Sequence, residues 1–147
     1  MEHLGPAFNH ETTMKMFNQC VNQSAKEQPS NFLYVIKSKE SNKKYGIIGL
    51  LWNQPEHTSV ELGVMIAKSY LSKGYAYKAL CLIMEHAFIE MKLTSIVILC
   101  SKNNTAVNRG VPTLGFQKVD ILDKILSNKG LIRWEITLQR FNKIKKK

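Results

Sequence analysis

Cysteine is scarce and its spacing is uninformative: Cys20, Cys81 and Cys100 are an odd number with no CxxC pair. That excludes a disulfide framework and offers no zinc-ligand pattern, so the three read as reduced thiols. His3, His10, His57 and His86 are dispersed along the chain, and no metal site is expected from them. No apolar run approaches the about 18 residues that a bilayer-spanning helix needs. The opening MEHLGPAFNH has neither the charged nor the apolar region of a signal peptide. A cytoplasmic protein with no membrane partner is the expectation. Repeats, low-complexity stretches and Pro/Gly/Ser-rich linkers are also lacking, which predicts a single domain over residues 1–141 followed by a basic tail, 142–147.

What the chain does have is positive charge and apolar content. With 147 residues, 44% of them hydrophobic, it can bury a substantial core. Its formal net charge is +10, and five of the eight residues in the ending RFNKIKKK are basic. Such an ending reads first as a solvated, disordered tail. A basic surface also attracts RNA or any phosphate-bearing ligand, and charge alone does not choose between them.

Periodicity gives an element order. Met14, Phe17 and Val21 fall at helical spacing within residues 10–23. Phe32–Lys37 and Tyr45–Trp52 flank the turn SKESNKK as a β-hairpin. From Thr58 to Ile66 the residues alternate, with Val60, Leu62, Val64 and Ile66 on one face and Ser59, Glu61, Gly63 and Met65 on the other. Ala76, Ala79, Leu80, Ile83, Ala87 and Met91 step along one buried helical face that ends near Lys92. SIVILC, residues 95–100, should be a strand buried on both sides. A short or kinked helix is expected from Asn103 or Asn104 onward, because Gly110 and Pro112 weaken its interior. Phe116–Leu126 and Leu131–Leu138 predict a second hairpin around SNKG. The whole describes a mixed α/β sheet with helices packed on it.

The stretch LSKGYAYKAL places a lone glycine just before a helix. A glycine there lets backbone approach a ligand, and the first helical N–H groups have no partner inside the helix. The turn Ser72, Lys73, Gly74, Tyr75, Ala76 can therefore bind phosphate, with the Lys73 ammonium adding charge and small Ala76 leaving room. The same glycine could simply close the preceding loop. The pattern is neither GxGxxG nor GxxxxGK[ST].

Residues 61–80, ELGVMIAKSYLSKGYAYKAL, resemble the acetyl-CoA-binding motif of the GNAT acetyltransferases. The nearest branch is that of the ribosomal-protein N-terminal acetyltransferases, whose pattern runs E-[IL]-G-Y-x-[IL] and then W-G-x-G-Y-A-x-E-A. Residues 101–116, SKNNTAVNRGVPTLGF, resemble that branch's N-x-x-S-x-x-x-x-x-K-x-G-F segment without change of length. Asn104 falls on the motif asparagine, and the likeness covers about residues 45–139. It implies the GNAT fold, a mixed and mostly antiparallel sheet flanked by helices, with acetyl-CoA as cosubstrate and no metal.

The resemblance also implies roles. The strand ELGVMI would splay from its neighbour, and the pantetheine arm would pair with backbone groups of Val64, Met65 and Ile66 in the gap. A backbone N–H, assigned to Met65, would stabilise the thioester oxyanion. Glu61 is the candidate general base, and otherwise an open-face carboxylate; His57 is a weaker candidate. Asn104 would bond the pantetheine arm, cap its helix, or do both. The tyrosine that many members place four residues before the glycine of GF is Val111 here, and the branch's serine is Val107. The leaving thiolate would then depart unassisted, take a proton from water, or use Tyr70, Tyr75 or Ser101. Cys100, with no paired histidine nearby in sequence, reads as a buried structural residue and not a nucleophile.

Three readings follow: an N-acetyltransferase acting on an amine-bearing small molecule or a peptide N-terminus, a degenerate domain that binds coenzyme A with little catalysis, or a basic RNA- or ribosome-associated module. The net charge favours a protein N-terminus or an uncharged small amine over a polyamine. Homodimerisation is compatible with the family but marked by no sequence feature.

Overall fold

In this computed structural model residues 31–52 and 58–147 are described, together with Lys15, Asn18, Gln19 and Asn22, which are helical. The helix expected over 10–23 otherwise lies outside the described residues, as do Glu56, His57 and the first fourteen positions. Six strands, β1 (Asn31–Lys37), β2 (Lys44–Leu51), β3 (Ser59–Ile66), β4 (Ser95–Ser101), β5 (Gln117–Val119) and β6 (Leu131–Thr137), form one sheet. Their spatial order is β1-β2-β3-β4-β6-β5. Every neighbouring pair is antiparallel except β3 with β4. That parallel pair needs a crossover, and α1 (Tyr75–Glu85), extended by a wider π turn over His86–Glu90, supplies it.

One face of the sheet carries the core. Ile48 and Leu50 of β2, Val60 and Leu62 of β3, Ile96 and Ile98 of β4 and Ile136 of β6 pack there with Ala79, Leu80, Ile83 and Met84 of α1. The helical periodicity and the alternation in β3 thus meet on a common face.

The region after β4 follows its sequence closely. Asn104 caps α2 (Thr105–Gly110), and the chain tightens into a 3₁₀ turn over Val111–Leu114 with Pro112 in its first turn. Two expectations fail beyond it. The strand expected over Phe116–Leu126 pairs only at Gln117–Val119. Asp123 ends it: its Oδ1 accepts from the Ile125 amide at 2.8 Å and starts α3 (Lys124–Asn128).

The basic ending is helical as far as Lys145, not coil, with residues 142–147 exposed. Thr137 terminates β6 and accepts from the Arg140 amide at 3.3 Å, opening α4 (Leu138–Lys145). Phe141 is buried against Phe88, with ring centroids 4.8 Å apart, and Lys145 pairs with Glu85 of α1. Phe141, with Leu138 packed against the core beside it, docks a short helix whose other side is basic.

Candidate active site

β3 and β4 are paired only at Ser59/Ser95, Val60/Ile96 and Glu61/Val97. Both strands run on, β3 held by β2 as far as Ile66 and β4 held by β6 as far as Ser101. Between them the sheet forks. Gly46, opposite Ile66, explains why β3 follows β2: a Cβ there would meet the Met65 carbonyl oxygen at 2.1 Å. Only glycine permits that approach.

Two hydrogen bonds fix where the β3 backbone groups point. Thr94 N–H donates to the Thr58 carbonyl at 2.7 Å, on the β4 side, and Ala67 N–H donates to the Tyr45 carbonyl at 2.8 Å, on the β2 side. Direction alternates along a strand, so Leu62, Val64 and Ile66 present their amides to the fork. Met65 turns its amide toward Ile47. The donor assigned to Met65 is therefore displaced by one residue, and the fork-facing groups are those of Val64 and Ile66. Met65 is half exposed and takes no part in lining the cavity beneath the fork.

That cavity, of about 420 Å³, runs from the fork to the turn before α1 and is walled on its far side by α2. Val64, Ile66, Ser72, Gly74, Tyr75, Ala76 and Asn104 line it, as do Val107 and Val111 in place of the hydroxyl-bearing residues of the motif. Lys73 does not; its ammonium lies 5.9 Å from the Tyr70 ring centroid. Glu61 stands at the vertex of the fork as the last β3 residue paired to β4, with its side chain on the sheet face opposite Leu62. Beside it, a Cβ added to Gly63 would meet nothing within 4 Å among the described residues.

The turn itself has the backbone a ligand site needs. Ser72 and Gly74 both adopt left-handed conformations, φ 60° and 81°, on either side of Lys73. The amides of Ser72 through Tyr77 donate to none of the described residues. Gly74 has no side-chain cap over it, and the first α1 bond is Lys78 N–H to the Gly74 carbonyl at 3.1 Å. These free donors, added to the helix dipole, favour an anion. A tyrosine cluster that sequence reasoning missed braces the turn: Tyr75 stacks on Tyr45 at 4.0 Å, and Tyr70 meets both edge-on. The hydrogen bond with Tyr45 holds the Tyr75 hydroxyl above its usual titration range.

On the opposite wall Asn104 accepts the Val107 amide at 3.3 Å through Oδ1, which leaves its Nδ2 able to donate into the cavity. Cys100 lines the cavity, and burial pushes its thiol up. The thiol donates to Asn108 Oδ1 at 3.1 Å. A protonated, hydrogen-bonded sulfur without a histidine is a poor nucleophile, in keeping with the structural reading. Tyr70, Tyr75 and Ser101, the substitute proton donors, all border the cavity. Ser101 is four residues beyond the vertex, roughly 13 Å along the strand.

Residues 1–117 match the family model of the acetyltransferase (GNAT) domain. A GNAT-family acetyltransferase from Bacillus anthracis shares 24% identity, with a TM-score of 0.72 over 90% of this chain and 76% of that one. A spermidine N-acetyltransferase from Vibrio cholerae, solved with CoA and spermine, shares 14% identity, with a TM-score of 0.73 over 93% of this chain and 80% of that one. A Vibrio cholerae protein assigned as a ribosomal-protein-serine acetyltransferase gives 14% identity and a TM-score of 0.72 over 88% and 76%. No curated protein matches this chain at the sequence level. Forked sheet, family model and fold agree: the chain belongs to the GNAT acetyltransferase family. It is an acetyl-CoA-dependent N-acetyltransferase.

Among the described residues, no helix is long and apolar enough to cross a membrane, and no group of three or more His, Cys, Asp or Glu side chains could hold a metal ion.

Proposed function

We propose that the chain passes the acetyl group of acetyl-CoA directly to a primary amine while both are bound, without a covalent enzyme intermediate. The observation that carries this reading is the fork whose vertex is Glu61 and whose mouth is the turn Ser72–Ala76. The diphosphate would sit on the turn amides and the pantetheine arm on the fork-facing groups of Val64 and Ile66, with Asn104 Nδ2 bonding it from the other wall. The thioester would then lie near the vertex.

The amine approaches from the opposite sheet face, where Gly63 leaves space beside Glu61. Its nitrogen attacks the thioester carbon, and Glu61 takes the ammonium proton directly or through water. The Val64 amide donates to the carbonyl oxygen as it gains charge. The C–S bond breaks and the coenzyme A thiolate takes its proton from water, since Val107 and Val111 stand at the motif's hydroxyl positions.

The acceptor we favour is a peptide N-terminus or a small amine with no second charge. A chain of net charge +10 repels a polycation over the distances at which encounter is steered. Polyamines are the second reading, supported by the spermidine N-acetyltransferases among the structural neighbours. A cytoplasmic setting suits either acceptor.

Free thiol release should be followed with acetyl-CoA and a panel of peptides, monoamines and spermidine, for the native chain and for Glu61→Gln. Faster release with peptides or monoamines supports the favoured acceptors, and faster release with spermidine supports the second. Acetyl-CoA that protects the fold against heating while no amine raises thiol release would identify a carrier-binding domain without transferase activity.

A further inference from the structure

α2 is an unusual wall for a ligand cleft. It has six residues, none of them buried, and it ends in Gly110 and a proline-containing turn. Apolar packing reaches it through Val107, part-buried against the core, and through Val111 and Leu114 of the turn that follows. A polar attachment is also present. Asn108 Oδ1 accepts from Trp134 Nε1 at 2.9 Å and from Cys100 Sγ at 3.1 Å. Its Nδ2 donates to the Ser101 and Lys102 carbonyls at 3.0 and 3.3 Å. Both donors and both acceptor positions of one amide are thereby used.

The partners lie on β6, on the end of β4 and on Lys102 just after it, where β4 has already left β3. We infer that Asn108 is a positioning residue that fastens α2 to the free end of β4 and so sets the width of the acetyl-CoA cleft. Neighbouring α2 residues Ala106, Val107 and Gly110 face the cavity, while Asn108 itself does not line it. Loss of its amide would let the wall move without removing a group that touches the ligand. The inference rests on the proposed placement of acetyl-CoA, but the attachment of α2 can be read without a ligand.

Asn108→Ala, Trp134→Phe and the double variant would be compared with the native chain. Asn108→Ala should raise KM for acetyl-CoA about 10-fold while kcat stays within about twofold, since the vertex is untouched. Trp134→Phe, which removes one bond of the four, should raise KM less. The double variant should be no worse than Asn108→Ala, because both changes break the same attachment. Hydrogen exchange at the amides of residues 108–110 should quicken in Asn108→Ala with no ligand present. An Asn108→Ala protein that melts earlier but keeps the native KM would overturn the inference. So would unchanged exchange in α2, even if the native chain proved not to bind acetyl-CoA, an outcome that would sink the proposed function separately.

Discussion

The two ends of the fork are built from opposite materials. At the vertex the backbone is paired on both sides, and Val60 and Ile96 are 1% and 0% exposed. At the mouth, Ser72, Lys73 and Gly74 are exposed, two of them left-handed, and successive amides have no acceptor among the described residues. A group that moves a proton must be held to within fractions of an ångström, and a paired strand does that. A diphosphate needs donors that the protein has not already used, and a helix start provides them. Changes at the vertex should therefore act on kcat and changes at the mouth on KM for acetyl-CoA.

The largest expected effect is at the vertex. Glu61→Gln keeps the shape of the side chain and removes its basicity, so kcat/KM for the amine should fall by roughly 10²-fold or more. KM for acetyl-CoA should not change. Native turnover in this variant would show that the vertex supplies geometry alone. Next comes the cause of the fork. Gly46→Ala drives a methyl into the Met65 carbonyl, which should destabilise the fold by about 1–3 kcal/mol and lower Tm in a thermal melt. An unaltered Tm would mean that β2 and β3 separate at little cost, leaving the fork without its proposed origin.

Much of this was legible in the sequence because it depends on local pattern. Alternation put Val60, Leu62 and Val64 on one face, helical spacing placed Ala79, Leu80, Ile83 and Ala87, and Asn104 marked the α2 cap; all are as read. What failed depended on partners distant in sequence. Whether Met65 or Val64 offers its amide to the fork is decided by which edge β2 occupies, a fact that side-chain alternation does not contain. The KVDILDKIL stretch alternates well enough for a strand, yet Asp123 caps a helix within it. The basic ending looked solvated because Phe141 was one aromatic among lysines, and its value came from Phe88, 53 positions earlier. Asn108 carried one overlooked signal: it lies one helical turn after Asn104, an i,i+4 pair of amides on a single face of a short helix.

At the mouth, Gly74→Val tests the turn. Gly74 sits at φ 81°, where a β-branched residue is strained by about 1–3 kcal/mol. The chain would relieve that strain by turning the amides away from the diphosphate. KM for acetyl-CoA should rise about 10-fold with kcat little altered. A drop in kcat at saturating acetyl-CoA would mean that the turn also shapes the vertex, and the division between the two ends would be lost.

The smallest effect separates fixed donors from diffuse charge. Lys73 belongs to the turn by sequence, but its ammonium rests over the Tyr70 ring and not along the cavity. If the backbone amides hold the diphosphate, Lys73→Ala removes only a solvent-exposed charge, and KM for acetyl-CoA should rise by about two- to threefold. That increment should shrink as salt is raised past about 0.15 M, where charges more than about 8 Å apart are largely screened. The larger KM change in Gly74→Val should persist at the same salt, because it comes from donor geometry. A Lys73→Ala effect that matched Gly74→Val and ignored salt would make the lysine a direct ligand, moved off Tyr70 when acetyl-CoA binds.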